Sequence, residues 1–204
     1  VQGVLGGMTV ILKLPTIVST FHLTLSMIYF STIIFIFHRL SFNPQQIVDK
    51  AKWDITIKNW AHLALATTFI QIIWGAFLRH SGAGASCGLG YENSLLCLDQ
   101  ETWRLSFWPL STPSQMHILH RYFALVVLYL NLVTFMKVLR SHYLNSRIKF
   151  FASFAFMTTI IQIVLGVLVV SLNISTIPTT LHLGVGALIL VSLLMLNLDL
   201  IYTE

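Results

Sequence analysis

Apolar residues fall along this chain in long unbroken runs, not in the one-in-three or alternating patterns of elements that bury a single face. Six runs occupy residues 1–12, 17–37, 59–78, 115–136, 150–172 and 179–201. A helix that is apolar all round is surrounded by lipid or protein. About 20 such residues cross the hydrocarbon core of a bilayer. Five of the six runs reach that length, and the first begins in mid-span. The pattern predicts an all-α integral membrane protein with six transmembrane spans present.

Polar positions between the runs set the topology. Arg39, Lys50, Lys52 and Lys58 follow the second run, and Lys137, Arg140, Arg147 and Lys149 flank the loop after the fourth; together they are eight of the twelve basic residues. Basic loops stay on the cytoplasmic side, or in the matrix if the source is mitochondrial. The loops at 13–16, 80–113 and 173–178 then face outward.

The chain repeats itself. Gln2-Gly3-Val4-Leu5-Gly6 returns as Gln162-Ile163-Val164-Leu165-Gly166, and His22 returns as His182, both at an offset of 160. Without a gap, 11 of the 22 positions in 2–23 are identical to those in 162–183. Each copy is a helical hairpin with a short outer turn. Two further spans precede the second copy, so counterparts are expected upstream of Val1. The chain is thus expected to be an N-terminally truncated part of an eight-helix protein built from two related four-helix bundles. Residues 1–38 would close the first half, 39–58 would be a cytoplasmic or matrix linker, and 59–204 would form the complete second half.

Composition narrows the class. Hydrophobic residues make up 56% of the 204 and charged residues only 9%, where a soluble domain carries about 25% charged. The net charge of +5 belongs to membrane topology and not to nucleic-acid binding. Cys87 and Cys97 are too few for a disulfide scaffold, and the absence of a C-x-x-C-H motif argues against covalently attached haem.

Eight histidines are many for so apolar a chain. His38, His62, His80 and His142 sit in basic loops or at span ends and read as interfacial. His22, His120 and His182 lie inside spans, seven, seven and four residues past Pro15, Pro113 and Pro178. At 1.5 Å per residue these are depths of roughly 6–10 Å below the outer face. Ionisable groups within a membrane are costly and usually functional. A single such His would read as an interhelical hydrogen-bond donor. Three at one depth, two of them related by the repeat, point to haem, because a neutral imidazole is a good axial ligand to iron. His120 and His182 would pair on one haem, and His22 would serve the other half. Zinc would call for carboxylate or thiolate ligands that these spans lack.

Arg79 and Arg121 are candidates to pair with haem propionates, with snorkelling to lipid headgroups as the alternative. Gly6, Gly7, Gly75, Gly166, Gly184 and Gly186 permit close helix packing or the approach of a flat macrocycle. Cys87 and Cys97 lie in an outward-facing loop, where a disulfide is expected; a structural and a redox role both stay open.

These residues resemble the haem A synthase family. The resemblance runs through Gln2-x-x-Leu5-Gly6-Gly7, Arg79-x-Ser81-Gly82-Ala83-Gly84, His120-Arg121-x-x-Ala124, Gln162-x-x-Leu165-Gly166 and Thr180-x-His182, and it covers essentially the whole chain. It implies oxidation of the C8 methyl of haem O to the formyl group of haem A for terminal oxidases. It also implies that His120 and His182 ligate a cofactor haem b, that His22 ligates the substrate haem, and that Cys87 and Cys97 form an outer-loop pair. The implied partners are haem O, the lipid bilayer, haem O synthase and cytochrome oxidase assembly factors, with homo-oligomerisation open. The implied location is the bacterial plasma membrane or the mitochondrial inner membrane. The family's catalytic Glu, three residues before a His-Arg, has His117 at the matching place here. The resemblance therefore assigns no catalytic residue within 1–204 and implies that these residues alone do not complete the reaction. Two other functions compete with it: a bis-His b-type cytochrome without enzymatic activity, which would use the same histidines, and a transporter or channel. The last is disfavoured because intramembrane polar residues concentrate near the outer side.

Overall fold

The computed structural model describes residues 1–41, 55–90, 96–99 and 104–202. They contain six α-helices: α1 (Gln2–Ile11), α2 (Thr16–Ser41), α3 (Ile55–His80), α4 (Thr112–Arg140), α5 (Ser146–Ser171) and α6 (Thr176–Tyr202). Helices α2 to α6 are long and apolar enough to cross a membrane, and α1, with 10 residues, is not. The five long runs are thus five membrane-length helices, and the short first run is the short helix α1.

Most helix ends lie beyond the apolar runs, because backbone hydrogen bonding continues into polar flanks where water or headgroups meet the side chains. Pro113 sits in the first turn of α4, where its missing N–H is not needed. Asn145 caps α5, its side chain accepting from the Ile148 amide at 2.9 Å. The stretch read as a 39–58 linker is consequently helical at both ends, while Lys50 and Lys52 lie outside the described residues. One element is not helical: β1 (Cys97–Asp99) pairs antiparallel with β2 (Arg104–Ser106) in the loop between α3 and α4. Strands of three residues are too short to leave a pattern in the sequence.

Helices α3 to α6 form a four-helix bundle in which α3 neighbours α4 and α6, and α5 neighbours α4 and α6. Helices α4 and α6 thus stand on a diagonal. Helix α2 lies against α3 and α6, and α1 against α2. The core comes from the middle and inner parts of the helices and includes Ala61, Ala64, Val138, Ala152, Ala155, Leu193 and Leu196. Alanines spaced three apart on α3 and α5 let the backbones approach closely. The bundle is packed most tightly at its inner, basic end, away from the level of His120 and His182.

The two hairpins agree in backbone detail. Leu14 N–H donates to the Thr9 carbonyl at 2.7 Å, and Ile174 N–H to the Val169 carbonyl at 2.7 Å. Lys13, Leu14, Asn173 and Ile174 all have positive φ, between 55° and 58°. Every one of these positions is related to its counterpart by 160. A β-branched residue such as Ile174 seldom adopts that conformation. Its recurrence shows that the hairpin dictates the turn against local preference.

Two polar expectations need correction. Intramembrane polar residues do not concentrate at the outer side: Thr68, Asn131, Thr134, Ser192, Asn197 and Asp199 are buried in the middle and inner parts of the bundle. Nor is His38 interfacial. Its side chain and that of Asp199 are 0% exposed and stand 2.7 Å apart, Nε2 to Oδ1, while Arg147 Nε donates to Asp199 Oδ2 at 2.8 Å. The network ties α2 to α5 and α6.

Candidate functional site

His22, His120 and His182 each lie on the second arm of a helical hairpin, on α2, α4 and α6. In all three hairpins the Cε1 edge of the ring faces a glycine of the first arm. A Cβ on Gly6 would lie 3.1 Å from Cε1 of His22, one on Gly75 3.0 Å from Cε1 of His120, and one on Gly166 3.2 Å from Cε1 of His182. Any side chain at these glycines would have to displace the ring. Gly7 and Gly184 have nothing within 4 Å of the same constructed position. Gly186 faces the Gln162 amide instead, at 3.2 Å.

A glutamine sits one helical turn before each of the three glycines. Gln2 Nε2 donates to the His22 carbonyl at 3.0 Å and also contacts Ser26 Oγ. Gln71 Nε2 donates to the His120 carbonyl at 3.0 Å and lies 3.5 Å from His120 Nε2. The third hairpin departs from this scheme. There His182 Nδ1 is 3.1 Å from the backbone carbonyl of Gln162. A carbonyl only accepts, so Nδ1 carries the proton and Nε2 keeps its lone pair, the tautomer suited to metal ligation.

His120 and His182 stand on the diagonal pair of helices, α4 and α6. Nδ1 of His120, Nδ1 of His22 and the Oε1 atoms of Gln2, Gln71 and Gln162 are buried without a hydrogen-bond partner. Imidazole nitrogens left unpaired in apolar surroundings are costly unless a ligand completes them.

The surroundings are basic. Arg121, next to His120, donates through Nη1 to the Leu96 carbonyl at 3.4 Å and lies 3.5 Å through Nη2 from His117 Nε2. These contacts use two of the five N–H groups of the guanidinium. His117 is buried one turn from His120 on the same face of α4. Arg79 is exposed at the outer end of α3. Cys87 and Cys97 form a disulfide. Both are fully buried and cluster with Ile118 of α4. Gly90 N–H donates to the Val170 carbonyl at 3.1 Å, so the loop is tied to α5 as well.

The other histidines stand apart. His62 is exposed, bonds through Nδ1 to the Lys58 carbonyl at 2.7 Å, and lines an open apolar groove of about 620 Å³ with Ile28, Phe35, Phe69 and Leu190. The His80 carbonyl accepts from Thr16 Oγ1 at 2.8 Å, and His142 is exposed.

Sequence reasoning missed Gln71 and the pairing of Gly75 with His120. The signal is present, since Gln71-Ile72-Ile73-Trp74-Gly75 has the same Gln-x-x-x-Gly spacing as 2–6 and 162–166. From glycine to histidine, however, the distance is 16 residues in two hairpins and 45 in the third, where the disulfide loop intervenes. A comparison at one fixed offset passes over it.

Five membrane-length helices, with histidines seated on glycines inside them, define a multi-pass membrane protein with intramembrane imidazole sites. The chain belongs to the COX15-CtaA family of cytochrome oxidase assembly proteins, which matches residues 1–194. This is the haem A synthase family to which the sequence motifs pointed. None of the curated proteins matches the chain.

Proposed function

We propose that the role of this chain in cytochrome oxidase assembly is that of a haem A synthase, oxidising the C8 methyl of haem O to a formyl group. One observation carries the reading: His120 and His182 enter the bundle from diagonal helices, each ring seated on a glycine of the preceding arm. An imidazole from either side is what a bis-histidine haem requires. The fixed tautomer of His182, which leaves Nε2 with its lone pair, fits that use.

In this reading His120 and His182 hold haem b, and His22 receives the substrate haem O. Arg121 and the more exposed Arg79 pair with propionates. When bound, haem b would supply one-electron redox chemistry; turning a methyl into a formyl group adds one oxygen atom and withdraws four electrons, so an oxygen donor and an external electron acceptor must both be supplied to the chain. The chain's own residues position and enclose. Gly75 and Gly166 seat the rings, Gln71 and Gln162 hold the histidines from the first arms, and apolar side chains keep water from the site. Among the residues whose side chains are described, Asp199 is the only carboxylate, and His38 and Arg147 engage it far from these histidines. No acid is therefore assigned to the chemistry. The compartment is the bacterial plasma membrane or the mitochondrial inner membrane, where haem O arrives through the lipid.

The test is genetic. Deleting the gene in its own host should abolish haem A and let haem O accumulate. The intact gene should restore haem A, and a His182→Ala gene should not. Unchanged haem A in the deletion strain would overturn the proposal. Haem bound by the protein without any dependence of haem A on the gene would leave a plain b-type cytochrome.

A further inference from the structure

Gly75 and Gly166 do more than allow helices to approach. Each faces the Cε1 edge of a histidine ring on the next helix, at 3.0 and 3.2 Å from a would-be Cβ, and Gly6 repeats the contact with His22 at 3.1 Å. Other intramembrane glycines are placed differently: Gly7 and Gly184 face open space. A need for close helix packing alone would not set three glycines against the same ring atom of three histidines.

A histidine ring has two free torsions, and its second is broad and poorly fixed by rotamer preference. Something outside the side chain must define the ring plane. His182 has two such constraints, the Gly166 backbone against Cε1 and the Gln162 carbonyl on Nδ1. His120 has the Gly75 backbone against Cε1 and the Gln71 amide 3.5 Å from Nε2, and its Nδ1 has no hydrogen bond. Its plane therefore depends chiefly on the narrow space beside Gly75, where a Cβ would meet Cε1 at 3.0 Å.

We propose that Gly75 and Gly166 are positioning residues that fix the planes of the His120 and His182 rings and so set the mutual angle of the two imidazoles, with Gly75 the more influential. The inference rests on the reading of His120 and His182 as ligands of one haem. The angle between two axial imidazole planes governs the anisotropy of a low-spin ferric centre, and ligand orientation contributes to its reduction potential. A methyl group at Gly75 forces the His120 ring to turn or withdraw while every ligand stays in the chain. The same methyl at Gly3, exposed on α1, meets nothing.

The experiment compares haem-loaded full chain with the variants Gly75→Ala, Gly166→Ala and Gly3→Ala. Haem content, the electron paramagnetic resonance spectrum of the ferric state and the midpoint potential are read for each, with helical content as the check on folding. Gly3→Ala should match the parent in all three. Gly75→Ala should keep its helical content and shift the low-spin signal and the potential, or turn part of the haem high-spin. Gly166→Ala should do the same to a smaller degree, because the Gln162 carbonyl still holds His182. It also serves as the test if Gly75→Ala fails to fold. Spectra of Gly75→Ala and Gly166→Ala identical to the parent would refute the proposal and leave the haem assignment standing. Equal shifts in Gly3→Ala would also refute it, since any added methyl would then suffice. A parent that takes up no haem would overturn both.

Discussion

Nε2 of His38 and Oδ1 of Asp199 stand 2.7 Å apart with both side chains fully buried, 161 residues apart in the chain. Asp199 also accepts from Arg147 Nε at 2.8 Å, and Arg147 lies over the Phe151 ring at 5.6 Å. This cluster fastens α2 to the four-helix bundle at its inner end, so that His22 at the outer end of α2 is held relative to His120 and His182. Asp199 is the fully buried carboxylate that His38 and Arg147 share, and removing one partner of a buried ion pair costs about 3–5 kcal/mol. Asp199→Ala should therefore lower the melting temperature of the purified protein markedly. Replacing all three members with apolar residues of similar size should be much less harmful. Equal melting temperatures for Asp199→Ala and the parent would show that the network does not hold α2.

The cap of α5 offers a smaller and cleaner test. Asn145 satisfies the Ile148 amide through its side chain at 2.9 Å. Asn145→Ala should cost about 1 kcal/mol, and Asn145→Asp should keep most of the stability. Denaturation in mixed micelles resolves that difference; an alanine variant as stable as the parent would remove the cap from the account of α5.

The loop between α3 and α4 depends on its disulfide. Cys87 and Cys97 enclose a short loop and are both buried on Ile118. Closing a loop of this length constrains the unfolded chain by about 3 kcal/mol. Thiol reagents should label neither cysteine in the native protein until it is reduced. Reduction should also free the Leu96 carbonyl that Arg121 Nη1 now meets at 3.4 Å. Rapid labelling without reductant would contradict the bond.

Much of the architecture was legible in the sequence because lipid imposes a simple rule: unbroken apolar runs become helices. Helices α2 to α6 and the hairpin repeat follow from run length and from the matched Gln, Gly and His. The repeat even extends to the positive φ of Lys13, Leu14, Asn173 and Ile174, which no local preference indicates. What the sequence concealed were contacts between residues distant along the chain. His38 sits beside Arg39 and so looks interfacial, yet a carboxylate on α6 draws it into the interior. Asn131 and Asn197 interrupt apolar runs without showing that they turn inward, where Asn197 donates to the Ala61 carbonyl of α3 at 3.1 Å. The equivalence of Gln71 and Gly75 to the other Gln-x-x-x-Gly pairs was hidden by the long insertion before His120.

Optical and paramagnetic spectroscopy of the haem-loaded protein, with His120→Ala and His182→Ala beside it, tests the pairing of the two histidines most directly. The parent should bind haem tightly and give the low-spin b-type spectrum of two imidazoles on one iron. Each alanine variant should lose that haem or become high-spin, because Gly75 and Gly166 place no other side chain where the missing ring stood. An unchanged low-spin spectrum in both variants would contradict the assignment of His120 and His182 as the haem ligands.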